Sequence, residues 1–249
     1  MRAAHTAIER FQMFAFTAPA TFAERTRGIV QRLKLRYGLN RHGNKRAPVD
    51  DLFYILLSRQ TTECNFKAAY KNIRKRWPSW NSLVKARTSE IYQHVAVAGF
   101  GRQRAAEMKA IACRLSRDFG KVTLAPLSRL STIDAEEYLT SLPGVGKKSA
   151  RCVLMYAFNR QVFPVDVHCF RALNRLGLIS CAGPVRNHED EIQRMVPPDL
   201  RFTLHVTLVS LGRDVCHAGK PECYRCVLRD LCPCGATSSG SRHGKGAAQ

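Results

Sequence analysis

Four cysteines near the C-terminus are spaced as metal ligands. Cys216, Cys223, Cys226 and Cys232 form the pattern C-x6-C-x2-C-x5-C within seventeen residues, and Cys234 falls outside it. Four thiolates this close in sequence suit a tetrahedral zinc ion or a [4Fe–4S] cluster. Zinc sites more often use two separated C-x2-C pairs, and this segment has one. The spacing therefore leans toward iron and sulfur and leaves zinc open.

The other cysteines do not suggest a disulfide framework. They are scattered singly through predicted helices, which is typical of small buried apolar residues in a reducing compartment. They are Cys64, Cys113, Cys152, Cys169 and Cys181.

A lysine and an aspartate eighteen residues apart could act together on a substrate. Lys148 follows the turn "LPGVG", and Asp166 lies in "FPVDVH" after one predicted helix and a proline-containing connector. Asp commonly caps helices, and Asp166 is placed to cap a helix that begins at Val167. Because a capping carboxylate is rigidly held, Asp166 could fill that structural role and still face Lys148 across a cleft.

The turn from Leu142 to Gly146 has the composition of an anion-binding hairpin. Its two glycines allow backbone conformations that other residues avoid. The free N–H groups at the start of the next helix, with Lys147 and Lys148 beside them, could hold a nucleic-acid phosphate. Glycine turns between helices are common and many bind nothing, so this pattern needs support from the rest of the chain.

The elements that must position these residues are helices. Apolar residues recur at helical spacing in "FAERTRGIVQRLKLRYG" and "QRAAEMKAIACRLSRDFG", each followed by a terminating glycine. Stretches of period-two alternation are scarce, so we predict an all-α fold. Further helices are predicted at about 50–58, 62–76, 89–97, 134–141, 147–158, 167–176, 188–196 and 199–212.

Three segments are predicted to carry little regular structure. The polar and basic stretch 40–48 is expected to be an unstructured connector, and the tail 235–249 to be disordered. Residues 1–22 are expected to be a loosely packed extension.

The charge of the chain indicates a polyanionic partner. Of its 249 residues, 40 are Lys or Arg and 19 are Asp or Glu, a net charge of +21 that is spread along the sequence. Nucleic acid fits best, because neutralising phosphates releases counterions and gives sequence-independent affinity. The sequence holds no run of about eighteen apolar residues, so no membrane span is expected.

The hairpin "LPGVGKKSA", the following "VDVH" and the cysteine spacing occur in an informative order. Together they resemble the helix-hairpin-helix, glycine-proline-aspartate superfamily of DNA base-excision glycosylases, in particular its endonuclease III-like members, over about residues 27–232. The resemblance implies a monomer that acts on double-stranded DNA containing a damaged base or an abasic site. It favours a [4Fe–4S] cluster on the four cysteines. The compartment would be the cytoplasm or nucleoid of a prokaryote, or the nucleus of a eukaryote.

The resemblance also implies two domains flanking a DNA-binding cleft. Residues 23–48 and 160–234 would form the cluster domain. Residues 49–159 would form a six-helix bundle that ends in the helix-hairpin-helix at about 134–158.

Roles for individual residues follow from the same resemblance. Lys148 would attack C1′ of a flipped nucleotide as a Schiff-base nucleophile, with its pKa lowered by Lys147 and the helix N-terminus, and Asp166 would stabilise the cationic transition state. Gln60, in "LLSRQTTE", and Phe100, in "AGFGRQRA", would fill the gap left in the base stack. Phe100 departs from the usual leucine and Ser149 from the usual threonine. The DNA-binding set is Gln60, Phe100, Leu142, Gly144, Val145, Gly146, Lys147, Ser149 and His168.

These residues predict a bifunctional glycosylase and abasic-site lyase that removes oxidised pyrimidines in base excision repair. An alternative within the superfamily is excision of methylated or mismatched pyrimidines, 5-methylcytosine or thymine, because plant demethylases share the "FPVD" form of the Asp segment. An alternative of another class is a non-catalytic helix-hairpin-helix DNA-binding module with a zinc site.

Overall fold

The computed structural model describes residues 21–237, and all regular structure in that range is helical, which confirms the all-α prediction. Short 3-10 turns join several of the helices. The α-helices are α1 (Phe22–Tyr37), α2 (Pro48–Ser58), α3 (Glu63–Arg76), α4 (Thr88–Val95), α5 (Gly101–Phe119), α6 (Thr132–Thr140), α7 (Lys147–Phe158), α8 (Val167–Arg175), α9 (Glu189–Met195), α10 (Arg201–Asp214) and α11 (Pro233–Thr237).

One hydrophobic core is built by helices α2 to α7. Helix α2 lies at its centre, and eight of its eleven residues are buried, among them Leu52, Leu56 and Leu57. A helix that is apolar on nearly all sides must be surrounded by other elements. Met108 of α5 and Val153 of α7 belong to the same core and are fully buried.

A second core unites α1 with the helices after α7. Leu33 of α1, Leu173 of α8 and Leu208 of α10 are fully buried in it. The chain thus leaves this core after α1 and returns to it between α7 and α8. This path places the first turns of α7 and α8 on a common cleft, and those turns carry Lys148 and Asp166.

The segment 40–48 is an ordered part of the fold, contrary to the unstructured connector expected from its composition. The Arg41 guanidinium donates to the carbonyl of Tyr156 and lies over its ring at 5.5 Å. A ring nitrogen of His42 lies 2.8 Å from the carbonyl oxygen of Val206. Partners distant in sequence therefore fix this segment, and its local composition does not show them.

The expectations for the two ends have different outcomes. Residues 235–237 belong to α11, so the disordered tail was predicted to begin too early. Residues 238–249 lie outside the described range, as does nearly all of the extension predicted at 1–22. Thr21 and Phe22 are the N-cap and first residue of α1. Within residues 21–237 no helix is long and apolar enough to cross a membrane.

Asp51 of α2 is a buried carboxylic acid in the first core. Its Oδ1 accepts the backbone N–H of Lys45 at 2.6 Å, while Oδ2 is buried without a hydrogen-bond partner among the described residues. Burial raises the pKa of Asp51 to about 7, and the Lys45 N–H opposes this only in part. The folded protein therefore holds the Asp51 proton more tightly than the unfolded chain does.

We expect the free energy of unfolding of the wild type to fall relative to Asp51→Asn as the pH rises. The pKa of Asp51 is higher in the folded state, so its stabilising contribution is complete below the unfolded-state pKa and is lost as the pH rises through about 7. Between about pH 5 and pH 8 the difference should grow by about 2–3 kcal/mol. Urea unfolding at several pH values measures it, and parallel curves for the two proteins would contradict the assignment.

Candidate active site

The turn between α6 and α7 packs its apolar side chains inward. Leu142 and Val145 are buried in the first core, so their side chains cannot contact DNA directly. Gly144 has a φ of +73°, which favours glycine, and a Cβ there would lie 2.4 Å from the carboxyl carbon of Glu107 and would displace that side chain. Gly146 is the N-cap residue of α7, and no side chain caps the first N–H groups of this helix. Any contact made by this turn would thus use its backbone and the exposed N–H groups of the first turn of α7.

Lys147 and Ser149 lie on either side of Lys148 in different environments. The Lys147 ammonium forms an ion pair with Asp190 of α9, and Ser149 is buried. The predicted depression of the Lys148 pKa by a neighbouring Lys147 cation is not what the structure shows, because the Lys147 charge is already paired with a carboxylate.

Lys148 and Asp166 line the same cleft. Both are half-buried, and both also line a narrower pocket behind the cleft. Asp166 is the N-cap of α8 and accepts the backbone N–H of Cys169 at 2.8 Å, as predicted for a capping aspartate. In the described part of the chain no direct ion pair joins the two side chains, so a reacting group could approach both.

The pKa of Lys148 is raised. The Cys152 thiolate is the largest cause, burial opposes it, and the Asp166 carboxylate adds to it. Burial also raises the pKa of Cys152 to about 11, so this thiol is neutral at pH 7. At neutral pH the carboxylate of Asp166 therefore still favours the ammonium form of Lys148, while burial still disfavours it.

The carboxyl of Asp166 has a lowered pKa. Burial raises it, but charge on His205, the Lys148 ammonium and the Cys169 N–H outweigh burial. The pKa of His205 is itself lowered by burial to about 4, so at pH 7 His205 is neutral and Lys148 with the N–H keeps Asp166 ionised. The pair thus consists of a carboxylate and an ammonium at rest, and Lys148 must lose a proton before it can act as a nucleophile.

The pocket behind Lys148 is lined by polar rings and amides. His42 and Asn44 come from the segment before α2, Tyr54 from α2 and His205 from α10. These groups supply hydrogen-bond donors and acceptors in a pocket that also has apolar side chains such as Ile55 and Phe66 in its wall. The sequence gives no signal for these four polar pocket residues, because they come from three separate parts of the chain and no spacing connects them.

Gln60 and Phe100 lie on one surface depression beside the cleft. Both have left-handed backbone conformations, with φ of 47° and 50°, which non-glycine residues adopt only when their surroundings hold them there. The Phe100 side chain is 60% exposed and is therefore not a core residue. Gln60 also lines the cleft with Lys148, together with His168, whose imidazole accepts from Arg171.

Two arginines fix these turns to each other. Arg104 is buried, and its guanidinium donates to the carbonyls of Leu56 and Leu57 at 2.6 Å and to that of Arg59, while its Nε donates to Gly99 at 2.6 Å. Arg104 thereby joins the segment that follows α2, which contains Gln60, to the turn that contains Phe100.

Arg59 makes the second connection. Its guanidinium donates to the carbonyl of Gly144 and to Glu107 at 2.5 Å. The α6–α7 turn, the Gln60 segment and α5 are thus joined through one side chain. The sequence signal for this role was present in "LLSRQTT", but the arginine could not be distinguished from a surface cation.

Replacing Arg104 with Met should destabilise the protein by about 2–4 kcal/mol, because carbonyls that the guanidinium satisfies would remain buried without donors. Denaturant unfolding measures the loss. Arg102→Met is the matched control, because Arg102 lies two residues earlier in α5 with its guanidinium over the Tyr92 ring. This substitution should cost far less stability. Equal unfolding midpoints for Arg104→Met and the wild type would refute this role.

The four C-terminal cysteines surround one cavity near α8 and α10. Arg175 of α8 holds the loop in place, since its guanidinium donates to Cys216 Sγ at 3.3 Å and to the carbonyls of His217 and Ala218. Within residues 21–237 the metal-ligating side chains whose ligand atoms approach within 4.8 Å of one another do not include these four.

Comparisons with known proteins agree with this fold and site. Residues 54–198 match the model of the HhH-GPD superfamily base excision DNA repair proteins. Endonuclease III of Synechocystis sp. is 31% identical over 191 residues, which cover 76% of this chain and 82% of that protein. Endonuclease III of Escherichia coli K12 is 29% identical over 193 residues, 76% of this chain and 85% of that protein. A protein of Arabidopsis thaliana named as a candidate DNA glycosylase is 30% identical over 190 residues, 74% of this chain, and this chain spans 64% of its length.

Solved structures show the same fold. A trapped covalent endonuclease III–DNA intermediate superimposes with a TM-score of 0.74 at 23% identity, covering 88% of this chain and 98% of that one. A thermostable thymine-DNA glycosylase gives 0.71 at 22% identity, covering 86% and 97%. The chain therefore belongs to the HhH-GPD superfamily of base excision DNA repair proteins. Its similarity to the endonuclease III proteins identifies it as a DNA glycosylase of the endonuclease III-like group.

Proposed function

We propose that this chain is a bifunctional DNA glycosylase and abasic-site lyase that removes oxidised pyrimidines from duplex DNA, with Lys148 as the nucleophile. The observation that carries the proposal is the shared pocket of Lys148 and Asp166, which opens onto the cleft lined by Gln60. The two hydrophobic cores would act as two domains that hold DNA between them.

The reaction begins with loss of a proton from the Lys148 ammonium. Its free amine attacks C1′ of the flipped nucleotide, the bond from C1′ to the base breaks, and the base leaves with the electron pair and takes up a proton. Opening of the sugar ring gives a protonated Schiff base between Nζ and C1′. Removal of a C2′ proton then expels the 3′ phosphate and cuts the strand, and water releases the lysine.

Asp166 would stabilise the cationic sugar and relay protons. The carboxylate is ionised and rigidly held by the Cys169 N–H, so it meets developing positive charge without reorganising. Its proximity to Lys148 also explains the resting charge pair. Asp166 is therefore proposed to be catalytic in addition to capping α8.

DNA binding would use the cleft rim. Gln60 and Phe100 would enter the stack where the base is extruded, the α7 N-terminus and Lys147 would hold a phosphate, and His168 would lie beside the extruded nucleotide. Of the residues predicted in the hairpin, Gly144 and Gly146 would act through backbone conformation, and Leu142, Val145 and Ser149 by supporting the turn from the core.

A [4Fe–4S] cluster is proposed for Cys216, Cys223, Cys226 and Cys232. The all-thiol donor set around one cavity, together with the C-x6-C-x2-C-x5-C spacing that resembles the endonuclease III-like cluster loop, supports a cluster over a single zinc ion. When bound, the cluster would tie the four cysteines of the loop together and so hold Lys220 in place as a cation for DNA phosphates, whereas Arg225 is already paired with Asp214 and Glu222.

Base release and strand cleavage on a panel of duplexes test the proposed function. Each duplex carries one modified base: an oxidised pyrimidine, 5-methylcytosine, or thymine opposite guanine. We expect excision of oxidised pyrimidines coupled to cleavage. A preference for 5-methylcytosine or mismatched thymine would overturn the substrate assignment in favour of the methylated or mismatched alternative. Binding without excision of any base, in a protein that contains zinc and no iron, would overturn the catalytic assignment.

A further inference from the structure

Three side chains outside the cleft bring metal-ligating atoms together. Cys181, His188 and Glu191 each place one ligand atom so that all three lie within 4.8 Å of one another. Cys181 and His188 are half-buried, and Glu191 is exposed to solvent. None of them belongs to the C-terminal cysteine loop or is used in the proposed reaction.

Helix α8 holds two of these residues in position. The ring of Phe170 stacks on the imidazole of His188, with centroids 5.8 Å apart and planes inclined by 21°. One turn later, the Asn174 side chain accepts the backbone N–H of Cys181 at 2.9 Å. The same helix therefore fixes the backbone of Cys181 and the imidazole of His188, which keeps the two residues close together.

The imidazole of His188 is oriented like a metal ligand. Its Nε2 lies 2.8 Å from the carbonyl oxygen of Ala182, which can only accept, so Nε2 carries a proton and donates. Metal-binding histidines commonly donate their second N–H to a backbone carbonyl in this way. The other nitrogen, Nδ1, lies 3.8 Å from Oε2 of Glu191. In the neutral ring both of these atoms are acceptors, so a cation placed between them would satisfy both.

We propose that Cys181, His188 and Glu191 bind a divalent cation of the zinc type. Thiolate and imidazole favour zinc over magnesium or calcium, and a carboxylate with one water completes a four-coordinate site. Zinc bonds of about 2.0–2.3 Å place ligand atoms about 3.3–3.8 Å apart, so ligand atoms that lie within 4.8 Å of one another need to close by at most about 1.5 Å. Binding replaces the proton of the Cys181 thiol, which passes to solvent.

The site would fix one wall of the cleft. The loop between Cys181 and His188 carries Val185 and Arg186, and these line the cleft with Lys148 and Asp166, as does Glu189 directly after it. A cation that joins both ends of this loop would hold that wall in one position. This inference rests on the local geometry and does not depend on the proposed reaction.

Zinc binding by the iron-loaded, full-length protein tests the site. The protein is treated with a chelator and dialysed against buffered zinc, and zinc and iron are then measured per chain for the wild type, Cys181→Ser, His188→Ala and Glu191→Gln. Cys113→Ser is the matched control, because Cys113 is also half-buried and lies on α5, away from the site. We expect the wild type and Cys113→Ser to bind one more zinc per chain than the other variants, with iron unchanged. Loss of a hydrogen bond that supports a metal ligand lowers metal affinity by about tenfold or more. Each of the three ligand substitutions should lower zinc affinity by more than about tenfold.

Two results would overturn the proposal. One is equal zinc content, including none, in the wild type and Cys181→Ser, which would show that His188 and Glu191 form only an ion pair. The other is a cobalt(II) difference spectrum of the wild type without a thiolate-to-metal charge-transfer band. Should Cys181→Ser lose its iron or fail to fold, Glu191→Gln decides the matter, because a substitution at this exposed position leaves the fold intact.

Discussion

Strand cleavage at an abasic site should fall by at least about 10³-fold in Lys148→Gln, about 4 kcal/mol of transition-state stabilisation, because among residues 21–237 no other amine lines the pocket with Asp166 to form the Schiff base. Glutamine keeps the length and polarity of the side chain and removes the nucleophile. Single-turnover cleavage of a duplex with one abasic site measures the effect.

The control for this experiment is Lys34→Gln, which removes an exposed lysine of α1 and changes the net charge equally. It should cleave at the wild-type rate once the salt concentration is matched. Cleavage by Lys148→Gln within about tenfold of the wild type would mean that Lys148 holds a phosphate instead.

Base release should fall by about 10²–10³-fold in Asp166→Asn, while the stability of the protein changes little. Asparagine caps helices as well as aspartate does, so α8 is retained and the lost activity reports on the charge. Because the Asp166 carboxylate raises the pKa of Lys148, its removal should also shift the pH profile of Schiff-base formation toward lower pH.

The rate at the optimum pH separates catalysis from capping. A carboxylate that only capped α8 would still shift the pH profile through its charge on Lys148, but asparagine would replace it without loss of rate at the optimum. Asp199→Asn, which removes an exposed carboxylate paired with Arg27, is the control and should have the wild-type rate and profile.

The sequence was informative wherever the signal is local. Helical periodicity predicted α1 and α5 closely, since an amphipathic helix repeats its apolar residues every three or four positions. The cap at Asp166 and the glycine turn at Gly144 followed from backbone preferences of single residues. The order of the hairpin, lysine, aspartate and cysteines then indicated the family, which the family match confirmed.

Long-range contacts account for what the sequence did not predict. The segment 40–48 is polar and basic, yet Tyr156 and Val206 hold it in place and it contributes His42 and Asn44 to the pocket. Asp190, 43 residues further along, pairs with Lys147, and Lys147 is not among the causes that shift the pKa of Lys148. The order of segment 40–48 and the Lys147–Asp190 ion pair both depend on contacts between elements that are far apart in the sequence.

Two further residues show the same limit. Arg104 resembles any other cation of a basic amphipathic helix, yet it is buried against carbonyls of two turns. Cys181 was interpreted as a small apolar residue, because neither its approach to His188 nor the stacking of Phe170 on that ring is visible in the order of residues.

Borohydride trapping on a duplex with one abasic site is the most direct test of Lys148 as the nucleophile. The wild type should form a covalent protein–DNA adduct, and peptide mapping should place the DNA on Lys148. Lys148→Ala, folded and with its iron intact, should form none. An adduct of equal yield in Lys148→Ala, or no adduct in the iron-loaded wild type, would contradict the mechanism.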